Sequence, residues 1–298
     1  MEDRDYIARA IAGDGQIRGL AITSKTMVEK ARRIHSYSPL AIAALGRTMS
    51  GALMMADNLK GEGDLLTVVI RGDGPLKQIL VTADSHGHVK GYASVPDVDL
   101  PLREGHLDVG KAVGKGTLTV IRDLGLKEPY VGTVDLRTGE IADDLTYYFA
   151  KSEQTPTAMG LGVLVDTNYS IKAAGGFILQ LMPGHTQETV SKLEKNLSNL
   201  PSVTEILSSE KTPEELLQLA LKGFDIEFLG TRDVSFLCTC SKERFVRNLK
   251  MLGADELEDM AEKDRGAELT CDFCGMKYSY TAEELMEIVS ELRSQKAV

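Results

Sequence analysis

Four cysteines, Cys238, Cys240, Cys271 and Cys274, constrain this chain more than any other feature, and no other cysteine occurs in its 298 residues. They read C-T-C, a thirty-residue spacer, then C-D-F-C. In an extended segment residues i and i+2 face the same way, so Cys238 and Cys240 can chelate together. Cys271-x-x-Cys274 has knuckle spacing, with Gly275 easing the chain out of the turn. Two thiol pairs at this spacing are the ligand set of a tetrahedral Zn2+ site. None of the histidines (His35, His86, His88, His106, His185) is near in sequence, so an all-cysteine site holding one zinc per chain is expected. Each pair is also close enough along the chain to form a disulfide.

Composition narrows the surroundings of that site. A net charge of −10 is a poor match for nucleic acid or an anionic membrane, both of which attract basic faces. The longest basic cluster, Lys30–Ala31–Arg32–Arg33, reads as a solvated helix face. The first ten residues carry charges where a secretion signal needs an apolar core. The apolar run from Pro39 to Met55 is interrupted by Arg47 and diluted by Gly and Ala, which argues against a membrane span. A cytoplasmic protein is expected. Thiols there stay reduced, so clustered cysteines suggest metal or redox chemistry over a static disulfide frame.

Three parts are expected. Residues 1–180 read as an α+β domain, an antiparallel sheet with packed helices. Ser38 and Pro39 start a long helix, and strands are expected over 65–71, 78–84, 89–94 and 117–123, separated by turn residues. A helix is expected over 141–154 and two more strands over 161–166 and 170–181, with Gly175–Gly176 marking a bend or a close backbone approach. Residues 181–230 read as a small helical linker domain, with Val190, Leu193, Leu197 and Leu200 on one face and capping boxes at Ser202/Glu205 and Thr212/Glu215. Residues 231–298 form the C-terminal zinc domain, built on the four cysteines. Phe245, Leu249 and Leu252 mark a helix there, Lys277–Tyr280 a strand, and Thr281-x-x-Glu284 caps a final helix. A helical segment is expected just before Cys271.

Ligand spacing alone favours a structural metal site, because closed four-ligand sites usually hold a fold together. The physical case for a switch starts from size. A module of about 65 residues has a thin core. Structural zinc contributes on the order of 10–16 kcal/mol in small peptides, against about 5–15 kcal/mol for a whole domain. Losing the metal should unfold the module and uncover apolar surface. Candidate surfaces for a partner are the linker face (Val190, Leu193, Leu197, Leu216, Leu217), where core and binding roles weigh evenly, and Met49, Met54 and Met55, where ordinary core packing weighs more. Other classes are disfavoured. A CxxC thiol oxidoreductase expects a βαβ context. A catalytic metal site needs an open ligand position and a nearby base. G-D-G-P-L at 72–76 lacks the Lys-Ser/Thr ending of a phosphate loop.

With these residues in view, the chain resembles the redox-regulated 33 kDa chaperonin family of heat-shock proteins, ATP-independent holdases. The resemblance runs through the whole chain and is most specific at Cys238, Cys240, Cys271 and Cys274. It is supported by SPLAIAALGRTMSGALMM at 38–55, GTLTVIRDLGLKEPYVGTV at 116–134, AAGGFILQLMPG at 173–184 and CSKERFVRNLKMLGADELEDM at 240–260. It implies a protein that is no enzyme, inactive when reduced and zinc-bound. It further implies that oxidation pairs Cys238–Cys240 and Cys271–Cys274, releases zinc and loosens the linker. Unfolding client proteins are then held by an active homodimer, with no nucleic acid or membrane involved. The alternatives kept open are a constitutive zinc-stabilised binding protein and a CxxC oxidoreductase.

Overall fold

The computed structural model describes residues 4–296 of the chain, and it is α+β. Its first strands, β1 (Tyr6–Ala12) and β2 (Ile17–Thr23), form a hairpin across Gly13–Asp14–Gly15. Helices α1 (Lys25–His35) and α2 (Pro39–Ala56) follow, then β3 (Leu65–Gly72), β4 (Gln78–Asp84) and β5 (His88–Ala93). After α3 (Val109–Val113) come β6 (Gly116–Asp123), β7 (Tyr130–Asp135) and α4 (Ile141–Tyr148), which runs into a π-helical turn at Phe149–Glu153. Strands β8 (Thr157–Val165) and β9 (Ile171–Leu181) lead to helices α5 (Gln187–Ser198), α6 (Val203–Ser208) and α7 (Pro213–Ala220), then to β10 (Ile226–Asp233) and β11 (Ser235–Phe236). One sheet has the order β10-β1-β2-β9-β8 and a second β11-β5-β4-β3-β6-β7; every pairing is antiparallel except β11 with β5.

Helix α2 packs against strands of both sheets. Ser38 caps it, accepting from the Ala41 N–H, and Pro39 sits where a missing N–H costs nothing. The helix is long and apolar enough to cross a membrane, yet it is buried along nearly its whole length and is a core helix. Met49, Met54 and Met55 lie in that core, so the core reading of these residues holds and they present no surface. Glycine allows the close approach expected at Gly175–Gly176: a Cβ at Gly175 would lie 2.1 Å from the Ile22 carbonyl oxygen of β2.

Helices α5–α7 cover the other face of the β10-β1-β2-β9-β8 sheet. Leu193, Leu216 and Leu217 share a core there with Ala8, Ala10, Ile17 and Leu179. Thr212 and Glu215 make the reciprocal capping box; at Ser202 only the side-chain acceptor half forms. The chain divides into two compact units, Met1–Leu237 and Cys238–Val298. Residues 226–236, read from sequence partly as helical linker and partly as zinc module, are strands of the first unit because their backbone groups extend the edges of its two sheets.

In the second unit α8 (Lys242–Lys250) and α9 (Ala254–Lys263) precede a hairpin of β12 (Gly266–Thr270) and β13 (Lys277–Thr281), and α10 (Ala282–Lys296) closes it. Thr281 and Glu284 cap α10 reciprocally, as expected. Two expectations fail here. Leu252 lies beyond α8 and is exposed. The segment before Cys271 is strand β12, because Gly266–Thr270 pairs with the strand after the cysteines. The unit's core is small: Leu249, Ala254, Leu257, Ala261, Tyr280, Leu285, Ile288 and Val289.

Candidate metal centre

The cysteine site is built from two backbone devices. Cys238 and Cys240 lie in an irregular stretch between β11 and Ser241, whose side chain caps α8 by accepting from the Arg244 N–H. Cys271 and Cys274 occupy the turn of the β12–β13 hairpin. There the Gly275 N–H donates to the Cys271 carbonyl at 2.8 Å, and the Cys271 N–H to the Met276 carbonyl at 2.9 Å. Gly275 takes a φ of +69°, the left-handed turn expected of a glycine leaving a knuckle.

These devices bring all four sulfurs within 4.8 Å of one another. Cys238 Sγ lies 3.7 Å from Cys271 Sγ, and Cys240 Sγ 3.3 Å from Cys274 Sγ. None is in a disulfide. A tetrahedral ion about 2.3 Å from each sulfur needs sulfur–sulfur spacings of about 3.8 Å. The four thiols therefore fit a metal, and all four can offer the soft donors that zinc prefers. Among the described residues this is the one group of three or more His, Cys, Asp or Glu placed to hold an ion. All five histidines lie in the first unit.

The electrostatics are uneven around the set. Burial pushes the Cys238 and Cys274 thiols up. At Cys240 burial acts in the same upward sense, but hydrogen bonds from Tyr278 and the neighbouring thiols outweigh it and its pKa comes down. The Tyr278 hydroxyl donates to Cys240 Sγ at 3.2 Å, its ring lying 5.1 Å from that of Phe245. Two residues on, Tyr280 donates to the Lys242 carbonyl at 2.7 Å. Neither tyrosine was singled out from sequence as part of the site. The available signal was K-Y-S-Y right after the second pair, where strand alternation puts both phenols on one face.

The comparisons with known proteins decide the family. A family model described as "Hsp33 protein" matches residues 5–281. The chain belongs to the Hsp33 family. Among Hsp33 relatives, the 33 kDa chaperonin of Acetivibrio thermocellus is 48% identical over 294 residues, covering 98% of this chain and 99% of the relative. That of Agathobacter rectalis is 50% identical over 285 residues, covering 95% and 99%. The crystal structure of the Hsp33 homologue from Thermotoga maritima superposes with a TM-score of 0.90 at 37% identity, covering 98% of this chain and 99% of that one. Hsp33 proteins are chaperones and not enzymes, which agrees with reading C-D-F-C as ligands and not as an oxidoreductase motif. The hairpin turn that carries it is also unlike the βαβ setting of thioredoxin-type motifs.

Proposed function

We propose that this protein is a redox-regulated, ATP-independent holdase whose C-terminal unit is locked by zinc on Cys238, Cys240, Cys271 and Cys274. The observation that carries this reading is a four-thiol cluster inside a unit with a small buried core. When bound, the metal supplies a cross-link between the entry segment of the unit and its hairpin, of a strength comparable to the stability of a whole domain. Each part then has a role: residues 1–180 with strands β10 and β11 as scaffold, 181–225 as linker and 238–298 as switch.

The switching step belongs to the thiols. The thiolates of Cys271 and Cys274 give two electrons to a peroxide-class oxidant and form one sulfur–sulfur bond, the oxidant being reduced to water or hydroxide. Cys238 and Cys240 do the same in a second two-electron step. Four sulfurs consumed in this way leave no ligand set. Within the folded cluster the short contacts run crosswise, Cys238 to Cys271 and Cys240 to Cys274. Pairing within each motif is nevertheless favoured once the unit opens, because closing a loop of two to four residues costs less entropy than closing one of more than thirty. Such short loops restore little stability, so oxidation leaves the unit open. Loosening of the linker would bare the apolar faces of α5–α7 and the sheet beneath them, with Leu193, Leu216, Leu217 and Leu179 among the side chains uncovered. Unfolding proteins would bind there, to an active homodimer, in the cytoplasm where resting thiols stay reduced.

The deciding experiment couples zinc release to client holding. Reduced protein should carry one zinc per chain and fail to suppress aggregation of an unrelated unfolding protein. After peroxide at mild heat, zinc should appear in solution and suppression should rise with it. Suppression already complete in the reduced, zinc-loaded protein would establish a constitutive binding protein. Hydrogen exchange across 187–220 should speed up on oxidation; unchanged protection would remove the linker as the client surface.

A further inference from the structure

The first unit holds a second polar site, none of whose residues is a cysteine. Arg232 of β10, Arg9 of β1 and Arg18 of β2 stand on three adjacent strands and line one cavity of about 580 Å3. The cavity also borders the end of α2, where Asp57 is the C-cap. Its volume falls in the ordinary range for small-molecule sites. A register shift between Arg9 and Ala10 marks a bulge where β1 meets β10, a device that re-aims a side chain.

Charge is not balanced there. The Asp57 carboxylate is 3% exposed and accepts from Arg18 Nη2 at 3.2 Å, with Arg232 Nε at 3.6 Å. Those two arginines offset the Asp57 charge at the helix end, although Asp57 Oδ1 itself has no hydrogen-bond partner. Arg9 does not fit that account. It makes no ion pair among the described residues, and its Nε is buried with no hydrogen-bond partner. Lys60 adds a fourth cation at the wall and Glu62 a second carboxylate. Four cations against two carboxylates leave a local positive excess in a chain of net charge −10. Burial holds the Arg18 guanidinium below its ordinary range, and the Arg9 charge adds to that after Asp57 has partly offset it. Arg9 is half-buried, and a buried N–H without an acceptor costs stability, a cost retained where it serves binding.

We propose that this cavity is an oxyanion-binding site whose ligand is a diphosphate, free or carried on an apolar body. Strands about 4.8 Å apart spread the three arginines over roughly 10 Å, more than a single carboxylate spans. Planar guanidinium forks match phosphate oxygens in pairs. Apolar walls at Ile11, Leu20, Leu59 and Leu229 would seat a flat or aliphatic body beside the anion.

The test uses the reduced, zinc-loaded full-length protein, titrated calorimetrically with inorganic pyrophosphate and with ADP. Saturable binding of one ligand per chain that weakens with added salt is expected. Tighter ADP binding assigns the apolar walls to a nucleoside, and equal affinities assign a bare diphosphate. Arg9→Gln should weaken binding at least tenfold and leave the melting temperature equal or higher, since it removes an unpaired charge. Lys60→Gln, at an exposed position, should weaken it several-fold without touching the fold. Both ligands chelate zinc, so bound zinc is followed with a chromogenic chelator and should stay constant. Absence of binding by both ligands, equal affinity in wild type and both variants, or heat that tracks zinc loss would each overturn the proposal. A melting temperature lowered by several degrees in Arg9→Gln, with Lys60→Gln binding normally, would make Arg9 structural and overturn it as well.

Discussion

Tyr278 shows how much one hydroxyl can decide at the metal centre. Its O–H donates to Cys240 Sγ, so it neutralises part of a thiolate's charge and fixes that ligand's direction. Removing it in Tyr278→Phe should weaken zinc binding roughly tenfold, in line with the usual cost of losing a partner that orients a ligand. Oxidant-driven zinc release, followed with a chromogenic chelator, should be faster in the variant; an unchanged rate would show that the contact is incidental. Glu29 is a comparable residue in the first unit. Hydrogen bonding from Arg32, with Arg33 and the Ile171 N–H, outweighs burial and holds its carboxyl down at about 2. Its folded pKa lies below its ordinary value of about 4.5. The stability it contributes is therefore full above that value and is lost as pH falls towards 2. An NMR titration should find the Glu29 carboxyl still ionised at about pH 3, and Glu29→Gln should flatten the acid limb of the stability curve.

Among the elements, α2 and the linker helices carry the clearest tests. Met49 is fully buried in α2. Met49→Ala should cost about 2–5 kcal/mol in denaturant unfolding, the range for emptying a buried methionine site, while client holding per folded molecule stays constant. At Gly175 a methyl group would meet the Ile22 carbonyl, so Gly175→Ala should cost about 1–3 kcal/mol by forcing β9 away from β2. Much of this was legible. Turn residues bounded β3, β4 and β6 to within a residue, since Gly, Pro and Asp break the strand pattern on both sides. Thr212 and Glu215 announced α7 by their chemistry. Strand β10 was not legible: Ile226–Asp233 is mostly exposed and lacks alternation, and only its non-local pairing with β1 makes it a strand. Strand β12 failed for the same reason, its partner lying beyond the cysteine turn.

For the whole molecule, the cysteine spacing announced the ligand set but not its neighbours, because Tyr278 and Phe245 meet the site only through the fold of the second unit. Two compact units of unequal core predict unequal dependence on metal. Stripping zinc with a chelator under reducing conditions should abolish the ordered signal of α8–α10 and the β12–β13 hairpin, while the two sheets of the first unit keep theirs. Circular dichroism and residue-resolved hydrogen exchange would show the split; full protection of 242–292 in the stripped protein would contradict it.

Tyr278 and Tyr280 reach Cys240 and Lys242 like two teeth of a comb, two residues apart on both sides. A strand that slips by one residue turns every side chain to its opposite face. A single slip of β13 would therefore withdraw both phenols together and carry the Cys271–Cys274 turn out of step with its partners. The two phenol contacts thus form or break as a pair. Each molecule would then keep both phenol contacts or lose both, whichever cysteine pair is oxidised first, and an intermediate tyrosine signal would count molecules in two states.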